Sequence, residues 1–71
     1  MKNRAIEDWQ KRDVMEKILA VWLENPSLRL SQLIVNSIDV DTNLYIVEDY
    51  DLVENVFAFS ERYNKKIPIN D

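Results

Sequence analysis

Glycine, cysteine and histidine are all missing from these 71 residues, and proline occurs twice. Each absence removes a class of structure or chemistry. Without glycine, a backbone position at positive φ falls to Asn, Asp or a strained residue. Tight type I′ hairpins are therefore disfavoured, and helices joined by Asn- and Pro-containing turns are expected. No Gly-rich loop exists to cradle a phosphate. Without cysteine there is no disulfide, and without histidine there is no ordinary imidazole base and no plausible structural zinc site. Ser27, Ser31, Ser37 and Ser60 have no histidine to activate them as nucleophiles. No run approaches the roughly 18 apolar residues of a membrane span. The opening MKNRAIEDWQKR lacks the apolar stretch of a signal peptide. A cytoplasmic, non-enzymatic protein is expected, with no metal, no cofactor and no membrane contact.

What is present argues for a small helical globule. The apolar fraction of 46% suits a folded chain and is too high for a disordered one. The reading is one domain over 1–71, with frayed ends at about 1–7 and 65–71. A chain of this size buries only about 60% of its unfolded surface, so self-association or an unusually good core should supplement it. The formal charge is −4, unevenly spread. Asp39, Asp41, Glu48, Asp49, Asp51 and Glu54 fall within residues 39–54 without one Lys or Arg. No contiguous basic patch exists to displace the counterions of a nucleic acid.

Hydrophobic spacing predicts an all-α, three-helix domain. Val14, Ile18, Val21 and Trp22, widened by Met15 and Leu19, repeat at helical spacing and place the first helix at about 8–23. It ends where Asn25 precedes Pro26, because a residue before proline is pushed out of the α region. The second helix is expected at about 27–38, capped by Asn25 or Ser27, with Leu30, Leu33, Ile34 and Ile38 as its stripe. The connection is so short that the two helices should form an αα-hairpin or cross more steeply. The third is placed at about 50–63, with Asp49 as N-cap and Leu52, Val53, Val56, Phe57 and Phe59 inward, joined by Tyr63. NLYIV at 43–47 has no partner strand and reads as a loop or one helical turn. The tail IPIND is expected to be extended.

Trp22, Pro26, Arg29, QLI at 32–34 and Asn36, followed by Tyr45, Glu48, Asp49 and Leu52, resemble a known pattern. It belongs to a group of small uncharacterised bacterial and phage proteins sharing W-x-x-x-P-x-x-R-x-x-Q-L-I-x-N and then an aromatic shortly before E-D-x-x-L. The match spans about residues 22–52. Many members carry Gly where Ser31 stands, and often Asp where Ser27 stands. The resemblance implies a phage, prophage or mobile-element setting and no particular activity.

Arg29 and Gln32 lie three apart, on one helical face at the border of the apolar stripe. Arg29 is expected to pair with a carboxylate at the start of the third helix, Asp49 among them. Gln32 should then bond a loop backbone group, so that the network fixes the 39–48 loop. The competing reading turns both residues toward a partner or an anionic ligand. DVDTN at 39–43 mimics the opening of a calcium loop, but its sixth position is Leu44 rather than Gly and its twelfth is Tyr50 rather than Glu. Trp22, Phe57 and Phe59 read as core. Trp9, Tyr45 and Tyr50 fall outside the stripes and either cap the core or form an interface.

The function expected is protein binding through an acidic and aromatic surface of Trp9, Tyr45, Glu48, Asp49, Tyr50, Asp51 and Glu54. Such a surface steers association toward basic partners. The alternatives are a structural homo-oligomer and a helix-turn-helix-like DNA-binding regulator. The latter is disfavoured because SLRLSQLIVNSI has one positive charge and a largely apolar surface.

Overall fold

A computed structural model describes residues 3–66 and contains three α-helices. They are α1 (Asp8–Glu24), α2 (Leu30–Asn36) and α3 (Asp49–Lys66), with a single 3-10 turn at Leu44–Ile46. No strand occurs among the described residues, so the all-α expectation holds. The segment 43–47 is largely that 3-10 turn, opened by Asn43, whose side chain accepts the Tyr45 N–H. The expected extended tail lies outside the described residues. No helix among them is long and apolar enough to cross a membrane.

The helix ends are built without glycine, and no described residue has a positive φ. Asn25 ends α1: its N–H returns to the Trp22 carbonyl, and its side-chain Nδ2 donates to the Val21 carbonyl at 2.8 Å. Two of the last-turn carbonyls, otherwise without partners, are thereby satisfied. Neither Asn25 nor Ser27 caps α2, which starts later, at Leu30. Arg29 holds the extended N-cap conformation, and the Gln32 Oε1 accepts its N–H at 2.8 Å. The start of α1 is built in the same way, with Gln10 Oε1 accepting the Ile6 and Glu7 amides. Each is the reaching-back half of a capping box. At the other end of α2 the Ser37 hydroxyl donates to the Leu33 carbonyl. Glu48, not Asp49, takes the cap position of α3, its carbonyl accepting the Leu52 N–H. Three more residues than expected extend α3 to Lys66.

α1 lies lengthwise on α3, and α2 also packs mainly on α3. The Tyr50 hydroxyl reaches Asp13, while Asn25 donates to the Ser60 hydroxyl at 3.0 Å. Residues 13 and 25 thus match 50 and 60 in the same order, so α1 and α3 run in parallel. The 24 residues from 25 to 48 form the return path. An αα-hairpin of α1 with α2 is therefore not the organising unit. Side-by-side helix N-termini bring their positive ends together, and Asp8, Asp49 and Asp51 in the first turns offset this.

The core consists of Ala5, Val14, Ile18, Val21, Leu33, Val53 and Val56. Leu33 and Val56 are fully buried. Trp22, Leu28, Ile34, Tyr50, Leu52 and Phe59 pack partly against it. Four side chains assigned to the interior are exposed instead: Met15, Leu19, Leu30 and Phe57. The apolar arc of α1 is wider than α3 can cover, and the β-branched edge is the one buried. Residues 3–7, read as frayed, are held down; Ala5 is only 6% exposed. Leu33→Ala should cost about 2–5 kcal/mol, against total stability of about 4–10 kcal/mol for a chain this short. Val35→Ala, at an exposed site, should stay within about 0.5 kcal/mol. Urea denaturation with an unchanged m-value checks both.

Candidate functional site

The residues singled out from sequence separate into three groups. Glu48, Asp49 and Asp51 gather at the start of α3, but the chain's own N-terminal segment occupies them. Arg4 pairs with Glu48 at 3.2 Å, the Ala5 N–H donates to Asp49 Oδ2 at 2.8 Å, and Asn3 Nδ2 donates to Asp51 Oδ1 at 2.8 Å. The Tyr50 N–H, one of the helix's free first-turn donors, bonds the Asn3 carbonyl at 2.8 Å. Arg29 is therefore not the partner of this cluster. It is exposed, makes no ion pair among the described residues, and contributes its backbone to the start of α2. Gln32 serves that same cap and does not hold the 39–48 loop. The network proposed for Arg29, Gln32 and Asp49 thus divides into two unconnected contacts, the local Arg29–Gln32 cap and the long-range bond from the Ala5 amide to Asp49.

Tyr50 is half-buried and caps the α1–α3 seam rather than presenting a binding surface. Its hydroxyl donates to Asp13 Oδ2 at 3.1 Å, and Asp13 also pairs with Lys17 one turn on. The Lys17 hydrogen bond, helped by the Tyr50 hydroxyl, holds the Asp13 carboxyl below its usual range. Asp13 raises the Lys17 ammonium through the same bond. Desolvation first, and then Asp13, raise the Tyr50 phenol.

Trp9, Tyr45 and Glu54 are exposed. Tyr45, at 92%, lines a shallow end cleft with Arg4, Ile46, Val47, Glu48 and Asp49. Trp9, in the first turn of α1, is not part of that lining. The acidic and aromatic surface therefore comes together only in part.

A second feature escaped the sequence reading. Met15, Ile18, Leu19 and Trp22 on α1, with Glu16 at the edge and Leu30 at the start of α2, line an apolar groove of about 240 Å³. Met15 and Leu19 are well exposed, and Leu23 continues the row one turn further. The Trp22 indole N–H donates to the Leu28 carbonyl at 2.7 Å, which ties the linker to α1 and sets Leu30 beside the groove. The spacing 15, 19, 22, 23 was the available signal, because it makes the stripe of α1 wider than one helical neighbour needs. Among the described residues no group of three acidic side chains is placed to hold a metal ion.

The Tyr50–Asp13–Lys17 chain has a definite pH signature. A lowered Asp13 contributes stability above the ordinary carboxyl range, and this is lost as pH falls through its folded value. Raised Lys17 and Tyr50 contribute below about pH 10, and this is lost as pH rises through their folded values. The melting-temperature gap between wild type and Asp13→Asn should be widest near neutrality and narrow progressively as pH falls below the ordinary carboxyl range. Tyr50→Phe should blunt the alkaline loss. Thermal melts across pH check both expectations.

No protein-family model matches the chain, and neither a curated protein nor a solved structure matches it.

Proposed function

We propose that the chain is a non-enzymatic protein-binding module that receives an amphipathic helix of a partner protein in the groove of α1. The observation that carries this reading is the row Met15, Leu19 and Leu23, exposed on successive turns beside Trp22 and Leu30. Helix-in-groove recognition uses anchors at i, i+4 and i+7, and this row offers the matching period. Exposed apolar side chains grouped in this way are uncommon on a monomer without a partner. Tyr45 and Trp9 add exposed aromatic rings, and Asp39, Asp41 and Glu54 add exposed carboxylates. These favour a partner with basic residues flanking its apolar face. A phage or prophage setting is where the resemblance described above would place it.

A second reading, a homo-oligomer closed over the same groove, is favoured by one observation. Among the described residues seven apolar side chains are buried while twelve large ones are exposed. DNA binding gains nothing from the geometry, since α2 has seven residues and Arg29 at its cap is its lone cation.

Leu19→Glu should abolish capture of a specific protein from bacterial host lysate, while Ala20→Glu, exposed but outside the groove, should retain it. Both should shift stability by no more than about 0.5–1 kcal/mol, because neither site is buried. Sedimentation velocity over a range of concentrations accompanies the capture. Retention by Leu19→Glu overturns the groove assignment; a dimer abolished by Leu19→Glu replaces it with the homo-oligomer.

A further inference from the structure

We infer that residues 3–5 form a detachable strap, which closes over the first turn of α3 and lifts off while the three helices stay packed. The inference goes beyond the groove and does not depend on it.

The strap is held almost entirely by contacts that water can replace. The Arg4–Glu48 pair and the Asn3–Asp51 bond are exposed. The Ala5 N–H bond to Asp49 is partly buried, and Tyr50 N–H to the Asn3 carbonyl completes the set. Exposed ion pairs and solvent-replaceable hydrogen bonds add little net stability each. The only strap side chain in the core is the methyl of Ala5; Ile6 points into solvent at 63% exposure. Local openings of this kind lie low on the stability scale because few apolar contacts are broken.

The rest of the fold does not need the strap. Gln10 holds the Ile6 and Glu7 amides from within the first turn of α1, so the helix keeps its start when residues 3–5 leave. Tyr50 and Asp13 join α1 to α3 independently, and Asn25 with Ser60 joins their other ends. The hinge falls at residues 6–7.

Opening changes what this end of the molecule presents. Closed, Glu48, Asp49 and Asp51 are satisfied by Arg4, the Ala5 amide and Asn3. Open, all three carboxylates are freed together and the Tyr50 amide loses its acceptor. The strap is thus a cover on the first-turn acids of α3, using the Arg4 cation, the Asn3 side-chain amide and backbone groups of residues 3 and 5.

Amide hydrogen exchange by NMR on the full chain tests this, with no partner required. The Ala5 and Tyr50 amides should show protection lower than those of Leu33 and Val56 by on the order of 100-fold, with little denaturant dependence. Arg4→Glu, which sets a carboxylate against Glu48, should lower Tyr50 protection further and leave Val56 unchanged. If Ala5 and Tyr50 exchange with the protection and denaturant slope of Val56, the strap opens only on global unfolding and the inference fails. If Arg4→Glu lowers Val56 in step with Tyr50, the strap belongs to the cooperative core and the inference fails equally. Failure of the groove to bind a helix would alter none of these rates.

Discussion

The parallel packing of α1 on α3 is the constraint on which the other features depend. Two helices running the same way cannot be joined by a short turn, so residues 25–48 must travel the length of the pair. That requirement gives α2 its place as a short crossover element against α3, with Leu33 at its centre. It also brings two positive helix ends together at one pole, where acids from both first turns collect. Polar side chains fix the register at each pole: Tyr50 with Asp13 at one, Asn25 with Ser60 at the other.

The core that this arrangement encloses is small and built from small side chains. Valines and one isoleucine line the α1–α3 seam, and among the described residues only Leu33 and Val56 are wholly withdrawn from water. The bulkier residues Met15, Leu19, Leu23 and Phe57 lie outside. Close approach of two helices favours compact β-branched side chains between them, which leaves the long ones at the margins. The groove of α1 is a consequence: the apolar arc not used against α3 faces outward, and the Trp22-to-Leu28 bond turns Leu30 alongside it. Binding of a partner is proposed where folding has left apolar surface over.

Some of this was legible in residue order. Val14, Ile18 and Val21 at helical spacing mark α1, and Val53 and Val56 mark α3. The lack of glycine pointed to helix ends closed by side chains, and Asn25 ends α1 in that manner. Gln10 and Gln32 carried a readable signal too, a Gln three residues past the cap, but Glu7 and Arg29 are unusual caps and hid the pattern. Arg29 was harder. Its charge and its border position suggested a carboxylate partner, yet Arg4 reached the acidic cluster first, and nothing local to residue 4 announces that it lies beside residue 48.

Sequence by itself determined that this chain is helical, where the helices fall to within a few residues, and that chemistry needing Cys or His is closed to it. Those properties follow from local periodicity and composition, which each segment carries with it. Only the tertiary structure decided which edge of the wide apolar stripe on α1 is buried, that α1 and α3 run in parallel, and that the acids of α3 are covered by the N-terminal segment. Each of these depends on contacts between residues 35 or more positions apart, and a helix's own pattern does not say which neighbour will arrive or on which side.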